Sequence, residues 1–156
     1  MPKCFLCRLP KGFIAGFVAT VVMSIMMMIK NASGIIPELD PIHMLSMTAS
    51  QKMGLPESIL IGWGMHFIIG AVIWGGFFAL FNQLLPGKEQ ITKGMVLGTI
   101  AWLLMMVGAM PANGAGLFGL NIGVIVPVMA LMLHLIYGAV LGGTYHRLTN
   151  NLYIDS

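Results

Sequence analysis

Four long apolar runs separated by shorter polar stretches set the pattern of this 156-residue chain. The first covers residues 12–29, "GFIAGFVATVVMSIMMMI"; the others cover 59–81, 94–110 and 120–145. None of them alternates as a barrel strand would, and none contains Asp, Glu, Lys or Arg. At about 1.5 Å per residue, each crosses a hydrocarbon layer about 30 Å thick with slight tilt or local thinning. Lipid offers backbone N–H and C=O groups no partner, so such runs predict helices. The expected fold is all-α, a polytopic four-helix transmembrane bundle in a single membrane domain spanning residues 1–156.

The connection over 30–58 departs from the short-loop pattern. Its stretch "DPIHMLSMTASQKMG" opens on Asp-Pro, a helix start signal, and spaces Ile42, Leu45 and Met53 among polar residues. Two readings stand side by side: a short outer interfacial helix, or a packed loop covering the bundle. Gly54 and Pro56 end the element before the second span.

The chain also repeats itself. "KGFIAGFVATVVMS" from Lys11 matches "KGMVLGTIAWLLMM" from Lys93, and "HFIIGAVIWGG" from His66 matches "HLIYGAVLGGT" from His134. The bundle therefore reads as two similar helical hairpins related by an approximate two-fold axis along the membrane normal. Gly12, Gly16, Thr20 and Ser24 form a small-residue stripe on the first span, with Gly94 and Gly98 on the third. Gly62, His66 and Gly70 line up on the second, with His134, Gly138 and Gly142 on the fourth. Small side chains let helices approach closely, the main source of association where lipid is as apolar as the helix. Pro127 is expected to bend the fourth span.

Composition agrees with this pattern. Hydrophobic residues make up 58% of the chain and charged residues 8%, against about a quarter in soluble domains. The formal charge of +3 comes with no basic stripe or nucleic-acid motif, so nucleic acid is not an expected partner. Lys3, Arg8 and Lys11 precede the first span, Lys88 and Lys93 lie between the second and third, and Arg147 follows the fourth. The positive-inside rule then places both termini in the cytoplasm, in a multi-pass protein of the cell inner or plasma membrane. The first run lacks a small-residue cleavage pattern and is expected to remain as an anchor. Cys4 and Cys7 form one CxxC near that face, half a metal site at most without a partner's ligands.

Candidate chemistry centres on His66 and His134, which lie inside spans at matching positions of the repeat. Paired imidazoles suit haem iron, copper or zinc, with one ligand from each helix. Alternatively they bond between helices, to Ser24, Thr20, Asn121 or a carbonyl, or handle protons or a quinone. Outside the spans, His43, Met44 and Met47 combine imidazole and thioethers in a set suited to copper. His146 and Arg147 suit headgroup anchoring. Trp63 fits an outer aromatic belt, and Trp74 and Trp102 suit packing or a cofactor cavity.

The segments "GFIAGFVATVVMS", "GWGMHFIIGAVIWGGFFALF" and "HLIYGAVLGGTYHRL" resemble a group of small, uncharacterised bacterial four-helix integral membrane proteins with paired His-x-x-x-Gly segments. The resemblance covers the spans and implies the fold without a reaction or ligand set.

No phosphate-binding glycine motif, HExxH or intramembrane carboxylate pair is present, so the chain alone is not expected to be catalytic. The leading expectation is a noncatalytic accessory subunit of a larger membrane complex, respiratory or oxidative. Its partners would be membrane lipids and larger membrane-protein subunits, or further copies of itself. The alternative is a small electron-transfer protein holding haem b or copper at His66 and His134, and a transporter component ranks third.

Overall fold

A computed structural model describes residues 8–150, and all regular structure within them is helical. Four helices are long and apolar enough to cross a membrane: α1 (Leu9–Ala32), α3 (Ile59–Phe81), α4 (Gln90–Ala112) and α5 (Val126–Asn150). The shorter α2 (Pro41–Met53) occupies the connection between the first two. The carboxylate of Asp40 accepts from the N–H groups of Ile42 and His43 at 3.1 and 3.0 Å, capping its first turn. Gly54, at φ +67°, closes its far end. The connection is thus a helix and a cover at once. Ile42 packs on Gly62, the Ser46 hydroxyl accepts from the Ser58 N–H at 2.9 Å, and α2 lies over the start of α3.

Glycines set the hairpin contacts. In the first hairpin, a side chain at Gly12 would strike the Gly75 carbonyl, and one at Gly16 the carbonyls of Gly70 and Ala71. In the second, a side chain at Gly94 would land on the Gly138 carbonyl, and one at Gly98 on that of His134. The repeat is therefore real in its packing but offset. Gly70 lies level with Gly16 and Thr20, whereas its counterpart Gly138 lies level with Gly94, one helical turn away.

The two-fold arrangement is incomplete. Helices α1 and α5 pack along each other between the hairpins, but α3 and α4, which symmetry would pair in the same way, share no sustained backbone contact. These two helices are also the ones with interrupted α-helical bonding. Residues Ile68–Trp74 of α3 and Met105–Ala109 of α4 are π-helical. The α3 segment has a visible cause. Gly75, the first of a glycine pair, stands nine positions after His66, but Gly142 stands eight positions after His134. One extra residue in an α-helix would rotate everything beyond it by about 100°. Widening one turn to i→i+5 bonding absorbs it instead, and the Gly75 N–H reaches back to the Gly70 carbonyl. Gly75 and Gly76 thereby stay against Gly12 and Phe13.

The fourth span begins at Val126 rather than Leu120. Residues 117–119 form a tight 3-10 turn, with Phe118 and Gly119 both at positive φ, and residues 120–125 continue as turns before the helix starts. Pro127 consequently does not bend this span. It sits in the first turn, where its missing N–H has no intrahelical acceptor to lose. Its carbonyl accepts from the Trp102 indole N–H at 2.9 Å, tying α5 to α4.

Two buried clusters hold the bundle. Ala15, Ala19, Phe78, Leu97, Leu141 and Tyr145 form one; Leu39, Met106, Met110, Val126 and Ala130 form the other. Met23 and Trp74 at the edge of the first, and Met44 and Met105 at the edge of the second, face a common cavity.

Candidate functional site

That cavity has a volume of about 390 Å³ and is walled by all four long helices, with α2 across one end. Thr20, Met23 and Met27 come from α1, and His66, Ile69, Gly70 and Trp74 from α3. Ala101, Leu104, Met105, Ala109 and Met110 come from α4, and Ala130, Leu133, His134 and Tyr137 from α5. Leu39, Met44, Leu45 and Thr48 close the end beneath the connection. Lys30 braces this cover: its buried ammonium donates to the carbonyls of Ile36 and Leu39 at 3.1 and 2.5 Å.

Both histidines singled out in the sequence therefore line one space. They do not, however, bond between helices as their structural reading expected. The His134 Nδ1 lies 2.8 Å from the Ala130 carbonyl, one turn back on its own helix. A carbonyl oxygen only accepts, so Nδ1 carries the proton and the neutral ring presents a bare lone pair at Nε2. His66 packs edge-to-face with Trp63 and Phe67, each ring centre 5.9 Å away. Its Nε2 is buried with no hydrogen-bond partner among the described residues. Such an unpaired buried group costs about 1–3 kcal/mol of desolvation. Ser24 and Thr20 turn back on their own helix, donating to the Thr20 and Gly16 carbonyls, both at 2.7 Å. Asn121 bonds to the Gly114 carbonyl at 3.1 Å.

Tyr137 was not anticipated. Its hydroxyl donates to the Gly70 carbonyl at 2.6 Å, joining α5 to the π segment of α3. The signal lay in the repeat, where Tyr137 stands before Gly138 in the place that Ile69 holds before Gly70. Trp74 lines the cavity and packs against the first buried cluster.

The set of His43, Met44 and Met47 is divided. His43 faces outward and lies 3.4 Å from the Glu57 carboxylate, with both side chains more than half exposed, whereas Met44 turns into the cavity and Met47 does not line it. Neighbours on a helix point about 100° apart, which explains the split. Cys4 and Cys7 lie outside the described residues. No group of three or more His, Cys, Asp or Glu side chains with metal-binding proximity occurs among the described residues.

The cavity is open on one side. Leu104 lines it yet is 60% exposed, and Ala109 is also exposed. Both belong to α4, on the seam where α3 and α4 do not meet. Ile68, Val72 and Ile73 on α3 and Leu103 and Val107 on α4 are exposed apolar side chains, so the outer surfaces of both helices suit contact with lipid. Among the described residues, no Asp, Glu, Lys or Arg lines the space.

A family model described as "Family of unknown function (DUF6789)" matches residues 7–155. No curated protein and no solved structure matches the chain.

Proposed function

The chain belongs to this family of unknown function, so its role has to be read from its own chemistry, and we propose that it is a noncatalytic membrane protein that binds an uncharged, lipid-soluble molecule between its four spans. The observation that carries this reading is the about 390 Å³ cavity with two imidazoles in a mainly apolar wall. Ligand sites typically have this character, about 300–1,000 Å³ of mainly apolar surface with a few convergent polar groups. A ligand arriving from the bilayer passes the α3–α4 seam without crossing water. The absence of charged wall residues favours a neutral occupant, because an ion in such surroundings lacks a compensating charge.

An accessory role in a larger complex drew on the scarcity of polar chemistry and on the apolar outer faces. The cavity supplies that polar chemistry, and lipid alone accounts for the outer faces. The lysine and arginine distribution supports cytoplasmic termini in a cell inner or plasma membrane.

The test is extraction of the protein purified in mild detergent, with mass spectrometry of what it releases. A neutral lipophile in stoichiometric amount supports the reading. Ala109 is exposed at the mouth, so Ala109→Trp fills the opening without displacing the core and should abolish the co-purification. An equal yield from that variant would count against it.

A second reading, an electron carrier holding haem b or copper, has one observation in its favour. His66 and His134 share their cavity with Met23, Met27, Met44, Met105 and Met110. Imidazole and thioether together suit reduced copper, and paired imidazoles suit haem iron. A reduced-minus-oxidised spectrum and metal analysis of the same sample separate the two readings, since a Soret band or stoichiometric metal lost in His66→Ala or His134→Ala belongs only to the second.

A further inference from the structure

We infer that the occupant carries a phenolic head group, a quinol or simple phenol on an apolar tail, whose O–H donates to His134 Nε2 between thioether walls. This rests on the proposed role of the cavity as a ligand site and adds the chemistry of the ligand.

His134 sets which head groups the cavity accepts. The proton on its Nδ1 is committed to the Ala130 carbonyl, so the neutral ring offers the cavity an acceptor and no donor. A ligand with carbonyl or ether oxygens alone leaves this nitrogen unpaired; a hydroxyl satisfies it. His66 lines another part of the same space, its Nε2 buried and without a partner among the described residues. Only a ligand form with a free O–H meets His134.

The walls argue for an aromatic ring over an aliphatic alcohol. Five methionines and Trp74 line the space. Thioethers make favourable contacts with aromatic rings, and their flexible stems close around a flat one. Neutrality follows from the absence of charged lining residues, which disfavours phospholipid or fatty-acid heads. The volume is at the small end for ligand sites, suiting a head with a short length of tail, and the remaining tail leaves through the α3–α4 seam into lipid.

The experiment uses the full chain in lipid nanodiscs under argon, titrated calorimetrically with three probes: a decyl-substituted hydroquinone, its dimethyl ether and an aliphatic alcohol of matched size. The hydroquinone should bind at least about tenfold more tightly than the ether, the difference expected for one lost hydrogen bond beside a buried acceptor. His134→Ala should bring the hydroquinone down to the ether's affinity and leave the ether unchanged. The comparison of probes on the unaltered chain stands whether or not that variant folds. Equal binding of all three probes overturns the phenolic head alone and leaves a general lipophile site. Failure of all three to bind overturns the ligand-site reading and this inference with it.

Discussion

The Tyr137 hydroxyl donates to the Gly70 carbonyl at 2.6 Å, and the Gly75 N–H reaches the same oxygen from five residues along α3. One carbonyl thus holds the widened turn of α3 together and fastens it to α5. Removing the hydroxyl leaves Gly70 with its backbone partner, so no buried acceptor is orphaned and the loss is that of a single interhelical bond. Such bonds average about 0.6 kcal/mol in membrane bundles and reach about 1.7. Tyr137→Phe should therefore lower stability by about that amount in reversible unfolding from mixed micelles. A loss above about 3 kcal/mol would mean that Tyr137 does more than fasten α3.

Glycine contacts make a sharper contrast. A side chain at Gly138 would collide with the Gly94 backbone, whereas Gly64 has open space around it. Backbone atoms cannot rotate aside as a side chain can, so Gly138→Ala must push α4 and α5 apart, at a cost of about 1–3 kcal/mol or more. Gly64→Ala should be neutral or slightly stabilising, by up to about 1 kcal/mol of helix propensity. Thermal unfolding followed by size-exclusion chromatography checks the order of the two.

The architecture was legible because its causes are local. Uncharged apolar runs announce spans, and Lys-Gly and His-x-x-x-Gly segments announce matching hairpins. The shared cavity of His66 and His134 was foreshadowed by their equal places in the repeat, although which atoms bond them was not. Side-chain bonding depends on rotamers, and His134 satisfies itself on its own helix. Two further features escaped: the gap between α3 and α4 depends on packing across the whole bundle, and Pro127 was read as a kink because the start of its helix was set too early. The extra residue before Gly75 was visible in the spacing all along.

The cover over the cavity is fastened unequally. On the α3 side α2 is held by close backbone packing at Gly62 and by the Ser58 to Ser46 bond. On the α4 side the Thr48 hydroxyl, shared with the Met44 carbonyl at 2.9 Å, donates to the Asn113 side-chain oxygen at 3.0 Å. Thr48→Val keeps the shape and removes that bond, worth about 0.5–1.5 kcal/mol. Global stability should change little, while bound probe should exchange several-fold faster in stopped-flow measurements. Unchanged exchange would show that the α2 end is not on the route and leave the α3–α4 seam as the entrance.

The π segment of α3 makes the strongest demand on its explanation. If the extra residue between Val72 and Gly75 is what widens the turn, deleting Ile73 restores the eight-residue spacing found between His134 and Gly142, and an ordinary α-helix results. Gly75 and Gly76 then keep their places against Gly12 and Phe13, so the hairpin should survive the deletion. Deleting Val140 from the uninterrupted α5 has no such remedy. It rotates Gly142 by about 100° away from its close approach to Gln90 and should abolish folding. The shortened α3 should in turn lose binding, because Ile69, Gly70 and Trp74 line the cavity from within the widened segment. Chromatographic homogeneity of both deletions, followed by probe titration of the one that survives, checks the chain of argument. Collapse of the Ile73 deletion would mean that the π turn is imposed by the bundle around it rather than by the inserted residue.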